Sequence, residues 1–265
     1  MPLPDQLRPF WFRRDATEHA RKTPWGVVFV DPRYPALWDA NRAGVLEEIA
    51  DLTLKDIRAE LVPALDWASA AHEHVEFWAA QSAPAVAQMR SEGAEEHRDV
   101  VMVFEGPAPV VPQNEVEVRE VVDLTEPFLQ WYRESQNDFG DETEYSEQVI
   151  DQMYRRDLEE FRPRGLRFFV GFLGDAMAGQ STLLSIDGVG YLDHVVTRPE
   201  FRRRGVATAL VSRVVRESAD AGDRLVHLLA DEGQPPQRLY ERLGFRVVSR
   251  VVSFTISDRR GGSRV

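Results

Sequence analysis

The chain has 265 residues with a formal net charge of −12, and 43% of the residues are hydrophobic, which is ordinary globular composition. It lacks any apolar run of the roughly 20 residues that cross a bilayer, and its first residues lack the basic-then-apolar order of a secretory signal. The absence of cysteine excludes disulfides, thiolate metal sites and cysteine nucleophiles, and the acidic balance excludes a typical nucleic-acid-binding surface. We therefore expect a cytoplasmic protein that binds neither nucleic acid nor a membrane.

The first half of the chain predicts alternating helices and strands, at 53–65, 72–78, 83–93 and 98–105. His72 and His74 share one face of the first of these strands, as two metal ligands can. No third ligand stands at a useful spacing, so we interpret both as structural and expect no metal. The proline-rich segment 107–114 has no helical period. It predicts a linker between a domain at 1–106 and a domain at 115–258, which is followed by a tail at 259–265.

The second half predicts a strand, two helices, three strands and then alternating helices and strands. We expect a strand at 115–122, a helix from Thr125 with Pro127 in its first turn, a helix at 144–160, strands at 166–173, 177–186 and 189–197, a helix at 203–221, a strand at 224–230, a helix at 234–243 and two strands within 245–256. Antiparallel hairpins followed by parallel units predict the α/β class, in a mixed α+β arrangement whose central mixed sheet has helices on both faces.

The segment 198–211, RPEFRRRGVATALV, places three adjacent arginines and a glycine between a strand and a helix. First-turn helix amides have no internal partner and the helix dipole adds positive charge there, so such a turn binds anions. Gly205 permits close backbone approach, Ala207 leaves room and the arginines can bond phosphate. The spacing matches neither a Walker loop nor a dinucleotide-binding fold. A phosphate or pyrophosphate ligand is expected, and a helix start that only neutralises nearby carboxylates is the alternative.

Two motifs place this turn in a family. Arg202, Gly205 and Ala207 match the pattern Gln/Arg-x-x-Gly-x-Gly/Ala, and the later LYERLGF contains Tyr240 and Gly244 followed by phenylalanine. With the order of elements, these motifs make residues 115–257 resemble the GNAT superfamily of acyl-CoA-dependent N-acetyltransferases. The resemblance implies the GNAT fold and acetyl-CoA as a cosubstrate, with no metal.

The resemblance also implies roles for individual residues. A strand-like backbone would pair with the pantetheine arm, and the amides of the arginine turn would hold the pyrophosphate. The coenzyme-binding residues implied are Val195, Val196, Thr197, Arg202, Arg203, Arg204, Gly205, Val206, Ala207 and Thr208. Tyr240 would protonate the leaving thiolate, because a phenol is a reasonable proton source for a thiolate. An aromatic side chain that only packs under the sheet is the alternative for Tyr240.

The strand at 189–197 carries the candidate base. Alternate side chains of a strand share a face, so Tyr191, Asp193, Val195 and Thr197 are expected to point one way and His194 the other. Many relatives carry a glutamate on this strand and this chain has none. Asp193 is therefore our candidate for the base or for orienting the amine, with a structural carboxylate as the alternative. His194 has suitable chemistry but is expected to pack on the opposite face.

Further residues around the expected acceptor site are acidic. Asp231 and Glu232 follow a strand, and the segment 137–147 lies where the superfamily covers its acceptor site. Solvated loops are the alternative for both. Gly233 stands where relatives often place an asparagine that contacts the cofactor, which leaves that contact without its usual residue.

The first half repeats the helix-strand-helix-strand order of 203–257. Met89 then falls at the position of Tyr240 and Gly93 at that of Gly244, while the helix start has no glycine turn. We interpret 1–106 as a degenerate GNAT-like copy without cofactor-binding chemistry. Tandem arrangements of this kind occur in the superfamily, for example in mycothiol synthase, and a chance pattern is the alternative. This domain would wall the acceptor cleft or support a homodimer.

The sequence thus predicts an N-acetyltransferase that transfers acetyl from acetyl-CoA to a primary amine of a small molecule or peptide. Direct attack is expected, because no Ser–His–Asp or Cys–His arrangement supports a covalent enzyme intermediate. A non-catalytic acyl-CoA sensor or scaffold is the alternative, and Tyr240 with Asp193 favours catalysis.

Overall fold

The computed structural model describes residues 3–106, 115–136 and 145–259. By spatial proximity the chain forms two compact units, Met1–Val101 with Val247–Val265, and Met102–Arg246. This division differs from the predicted domain boundary, because the last strand of the chain lies with the first unit. The predicted linker at 107–114 and residues 260–265 of the predicted tail lie outside the described residues.

The α-helices of the described residues are α1 (Arg8–Asp15), α2 (Leu54–Trp67), α3 (Pro84–Ser91), α4 (Glu126–Ser135), α5 (Glu147–Arg156), α6 (Val206–Asp220) and α7 (Pro235–Arg242). A π-helical segment, Asp157–Phe161, continues α5, and a short 3-10 turn spans Pro199–Phe201.

The strands are β1 (Arg21–Thr23), β2 (Gly26–Phe29), β3 (Arg42–Val45), β4 (Glu73–Phe77), β5 (Glu95–Phe104), β6 (Val116–Val121), β7 (Arg167–Leu173), β8 (Ala176–Ile186), β9 (Val189–Thr197), β10 (Leu225–Asp231) and β11 (Arg246–Ile256). The elements predicted for 53–105 and 115–243 are confirmed, with ends that differ by a few residues. The prediction of two strands within 245–256 is wrong. No turn residue interrupts RVVSRVVSFTI, and β11 runs through it as one strand.

The first unit contains a mixed sheet with the strand order β1-β2-β3-β4-β11-β5. Strands β1 to β3 are antiparallel, β3 and β4 are parallel, and β4 and β11 are antiparallel. Helix α2 presents Ile57, Leu61 and Leu65 to the core of this unit at helical spacing, and all three are fully buried. Burial of each such side chain contributes about 1.5–3 kcal/mol relative to an exposed one.

The second unit contains strands in the order β10-β9-β8-β7-β6, with β6 to β9 antiparallel and β10 parallel to β9. Helices lie on both faces of this sheet, as predicted. Helix α4 packs on the face that carries Val170 and Leu184. Helix α6 packs on the other face, where a Cβ atom added to Gly179 would lie 2.8 Å from Val206 Cγ1. Glycine at 179 therefore lets the start of α6 lie directly against the ends of β8 and β9.

Among the described residues, none of the helices has the length together with the apolar character that crossing a bilayer requires.

Candidate active site

The predicted anion-binding turn joins the end of β9 to the start of α6. Gly205 is the N-cap residue of α6 and has φ +83°, and Arg203 also adopts a positive φ, +62°. Left-handed backbone is tolerated by glycine and costs other residues energy. No side chain caps α6, so the amides of its first turn point out of the helix without a capping acceptor. This geometry fits an anionic ligand.

The three arginines of the turn differ in their surroundings. Arg202 Nε donates to the carbonyl oxygen of Thr197 at 3.3 Å and so ties the turn to the end of β9. Arg203 and Arg204 are exposed, and Arg204 lies 3.9 Å from Glu115 Oε2. Arg202 therefore braces the turn, while the other two present positive charge to solvent beside the helix start.

Strand β9 carries an irregularity that the sequence did not reveal. Thr182 of β8 pairs with Asp193, but Gln180 pairs with Val196, so β9 has one extra residue between these positions. His194 lies in this β-bulge with φ +52°. Such bulges re-aim side chains by breaking the period of two.

The bulge corrects the predicted faces of β9. Because Gln180 and Thr182 share a face of β8, their partners Val196 and Asp193 share a face of β9. Thr197 pairs with Gly179 and lies on the α6 face. The prediction that Asp193, Val195 and Thr197 form one alternating row is therefore wrong.

The backbone of β9 becomes open on one side towards its end. The described pairing with β10 begins at Val189 and ends where Tyr191 pairs with His227, although both strands continue beyond these residues. Beyond Tyr191, β9 remains paired with β8 only on its other side. The hydroxyl of Thr197 is buried and has no hydrogen-bond partner among the described residues. The last residues of β9 thus offer polar groups to an extended ligand.

Helix α7 carries Tyr240, on which the carboxylates of Asp193 and Asp231 act. The side chain is 6% exposed and packs against Phe245, with ring centroids 5.9 Å apart. Gly244, with φ +101°, ends the helix and permits the turn that brings Phe245 back onto Tyr240. Burial raises the pKa of Tyr240 well above its ordinary value, and the carboxylates of Asp193 and Asp231 raise it further. The phenol is thus protonated at neutral pH and lies within electrostatic reach of Asp193.

A second group of polar side chains lies on the Asp193 face and was not predicted. The Tyr132 hydroxyl of α4 donates to Asp157 Oδ2 and lies 3.1 Å from His194 Nδ1. Burial raises the pKa of Asp157, and burial together with Asp157 raises that of Tyr132. The prediction that His194 packs on the opposite face is wrong, because the bulge turns its ring towards α4. No sequence signal joins these residues, which come from three separate segments.

Gly233 and the two histidines predicted as structural in the first unit contact other protein groups. Gly233 lies in the exposed turn after β10, with φ +79°, and its amide donates to Gln237 Oε1 at 2.7 Å. Residues 137–144 of the predicted acidic cover lie outside the described residues. In the first unit, His72 Nε2 lies 3.0 Å from the Asn41 carbonyl oxygen and His74 Nδ1 lies 2.7 Å from Thr255 Oγ1. Both histidines are thus held by protein groups.

Comparison with known proteins identifies a family and relatives to which this chain is similar. Residues 126–245 match a family model described as acetyltransferase (GNAT) family. Mycothiol acetyltransferase from Nocardiopsis dassonvillei is 32% identical over 156 residues, which is 52% of this chain and 47% of that protein. The matched region thus spans about half the length of this relative.

Solved structures show the same fold. A conserved protein of unknown function from Staphylococcus epidermidis has a TM-score of 0.73 at 14% identity, covering 93% of this chain and 97% of its own. A GCN5-related N-acetyltransferase from Kribbella flavida has a TM-score of 0.56 at 18% identity, covering 85% of this chain and 84% of its own. The predicted mixed α/β fold of GNAT type is confirmed, and the tandem copy stays a prediction.

Proposed function

We propose that the protein, whose residues 126–245 match the acetyltransferase (GNAT) family model, transfers the acetyl group of acetyl-CoA to a primary amine of a small molecule or peptide. One observation supports the proposal: Tyr240 is buried, its pKa is raised first by burial and then by the Asp193 carboxylate, and it lies in the same unit as the uncapped start of α6. A phenol suits a leaving thiolate, a carboxylate suits an ammonium group, and a helix start suits a pyrophosphate. The acetyltransferase named among the relatives supports the reaction class.

The coenzyme is proposed to bind along the end of β9 and the start of α6. The amides of residues 203–208 would hold the pyrophosphate, with Arg203 and Arg204 adding charge from solvent and Arg202 bracing the turn. The pantetheine arm would pair with the backbone of residues 195–197, where β9 no longer pairs with β10. The buried Thr197 hydroxyl, which lacks a protein partner among the described residues, fits this polar arm.

The chemistry proposed for the site is direct transfer. Asp193 would bind the ammonium form of the acceptor and orient its nitrogen. After one proton has left, the neutral nitrogen attacks the thioester carbon, the C–N bond forms and the C–S bond breaks. Tyr240 gives its proton to the leaving sulfur and regains one from the new amide nitrogen. The acceptor nitrogen thus loses two protons in total, of which one ends on the thiol and the other reaches solvent.

We further propose that the first unit binds no second coenzyme. Helix α2, which corresponds to α6 in the predicted repeat, begins with Thr53 and Asp56 capping each other's backbone amides. The amide of Leu54 donates to Gln88 Oε1 at 2.7 Å. The amides of Leu54 and Asp56 in its first turn therefore already have protein acceptors. In the predicted repeat Met89, which is fully buried, stands where α7 has Tyr240.

An amine panel with acetyl-CoA and a thiol-detecting reagent tests the proposal. We expect thiol release with at least one primary amine and recovery of the matching N-acetyl product by mass spectrometry. Isothermal titration with coenzyme A, run in parallel, measures binding separately from turnover. Tight binding without acetyl transfer to any amine would contradict the enzyme and favour an acyl-CoA sensor.

A further inference from the structure

We propose that His194 accepts the proton that the acceptor amine loses, and that Tyr132 and Asp157 position its imidazole for this step. This inference rests on the proposed acetyl transfer and assigns the base within it. Asp193 keeps the separate role of binding and orienting the ammonium group.

The backbone presents His194 in an unusual way. Its φ of +52° lies in the left-handed region, which costs a non-glycine residue about 1–2 kcal/mol. The bulge accommodates this conformation, and the His194 amide donates to Asp193 Oδ1 at 2.9 Å. Strained residues of this kind concentrate at functional sites. In a regular strand, consecutive side chains point to opposite faces. The bulge instead lets the side chains of Asp193 and His194 lie on the same face of the sheet.

The hydrogen bonds of Tyr132 define which ring nitrogen carries the proton. A tyrosine hydroxyl has a single hydrogen, and here it is donated to Asp157 Oδ2. The hydroxyl oxygen of Tyr132 lies 3.1 Å from His194 Nδ1. Because its hydrogen is already donated to Asp157, this oxygen can only accept a hydrogen bond from Nδ1. Neutral His194 thus carries its hydrogen on Nδ1 and has the lone pair on Nε2. Nε2 lies 3.9 Å from Asp193 Oδ2, on the side where the ammonium group would bind.

The surroundings favour the charged imidazolium once it forms. Among the described residues, Asp157 Oδ2 of the π-helical segment lies 3.7 Å from Nδ1, and Asp193 contributes negative charge from β9 itself. From α4, Tyr132 contributes a neutral oxygen, and its ring lies nearly parallel to the imidazole. Arg156, next to Asp157, opposes part of this negative charge. Burial raises the pKa of Asp157, whereas the charge of His194 opposes this and lowers it.

An imidazole also suits the proton transfer better than a carboxylate does. In reference compounds the imidazole is a stronger base than the aspartate carboxylate by about 2.6 pKa units, which brings it closer to neutral pH. The ammonium group gives one proton to His194 Nε2, directly or through one water molecule, and becomes the neutral nucleophile. The His194 side chain is 15% exposed, so the imidazolium can return this proton to solvent after transfer.

His194→Asn provides the main test. Asparagine tolerates the left-handed backbone and keeps a donor towards Tyr132, but it cannot take up a proton. We expect kcat/KM to fall about 10²–10⁴-fold at neutral pH and the acidic limb of the pH profile to disappear. The dissociation constant for coenzyme A should stay unchanged. Tyr132→Phe should shift the acidic limb without removing it, and His19→Asn, at a half-exposed histidine of the first unit, should leave the profile unchanged.

A second measurement does not depend on turnover. Heteronuclear NMR of the imidazole nitrogens in the unliganded protein should show neutral His194 protonated at Nδ1, and Tyr132→Phe should change this tautomer equilibrium. A neutral ring protonated at Nε2 would overturn the inference. The inference would also be overturned if His194→Asn kept the wild-type pH profile and Asp193→Asn lost the acidic limb. In that case the proposed function would stand. If the wild-type protein acetylates no amine, both the proposed function and this inference are overturned.

Discussion

Burial raises the pKa of the Tyr240 phenol on α7, and the carboxylate of Asp193 on β9 raises it further. These residues are far apart in the sequence, and the fold brings them close enough for the charge of Asp193 to act on the phenol. We propose that they face the acceptor and the leaving thiol, respectively. The site thus has a carboxylate that can bind the ammonium group of the acceptor and a neutral phenol that can give a proton to the leaving thiolate.

Tyr240→Phe should lower kcat by about 10²–10⁴-fold, because it removes the proton donor for the thiolate and keeps the packed ring. The dissociation constant for acetyl-CoA should change little, since the ring still packs on Phe245. Stopped-flow thiol release and isothermal titration measure the two effects. Tyr154→Phe, at a partly buried tyrosine of α5, is the matched control and should retain full activity. Equal loss in both variants would count against a specific role for the Tyr240 hydroxyl.

Gly205→Ala should weaken coenzyme A binding at least tenfold. The left-handed φ of +83° disfavours alanine by about 1–2 kcal/mol, and relaxation of this strain would turn the first-turn amides of α6 away from the pyrophosphate. Gly222→Ala is the control, because Gly222 has φ +90° after α6 and open space around its Cβ position. Both variants should lose similar thermal stability, but only the first should lose affinity in isothermal titration. Equal affinities would place the pyrophosphate elsewhere.

Coenzyme A should bind with a stoichiometry of one per chain. The start of α6 has no side-chain cap, whereas Thr53 and Asp56 already satisfy the start of α2. Isothermal titration of the full chain gives the stoichiometry directly. Gly205→Ala should weaken this single site and reveal no second one. A binding isotherm with two equivalents, one of them insensitive to the substitution, would contradict the proposed lack of a coenzyme site in the first unit.

Asp157→Asn should stabilise the protein at neutral pH while lowering its activity. Because burial raises the pKa of Asp157, the folded protein holds this proton to a higher pH than the unfolded chain does. The protonated carboxyl therefore makes its full contribution to the free energy of unfolding below about pH 4, the ordinary pKa of aspartate. This contribution is lost as the pH rises through the pKa that Asp157 has in the folded protein. Asparagine does not ionise, so the variant keeps its stability as the pH rises, and its side-chain oxygen can still accept the hydrogen bond from Tyr132.

Thermal unfolding at several pH values tests this prediction. The excess Tm of Asp157→Asn over the wild type should be small below about pH 4 and should grow towards neutral pH, by about 2–4 °C for each kcal/mol. Asp151→Asn, at an exposed carboxyl of α5, should follow the wild type at every pH. A constant or shrinking excess would show that the buried carboxyl does not destabilise the folded state.

The local features of the candidate site were predictable from the sequence. Gly205 and Gly244 mark left-handed residues next to helices, and helical and strand periodicity placed α6, α7 and β9 around them. Such features depend on the backbone preferences of a few consecutive residues, which is why a short motif with fixed spacing carries them.

The sequence alone determined the order of helices and strands in 53–105 and 115–243, the turn at Arg202–Gly205 and the placement of Tyr240 on a short helix before a glycine. Only the tertiary structure decided that β11 pairs with β4 of the first unit, and that the bulge in β9 turns His194 towards Tyr132 and Asp157. The physical reason is the range of the forces involved. Local propensities act within one turn or strand, whereas strand partners and buried polar contacts depend on which distant segments together exclude water and satisfy each other's hydrogen bonds.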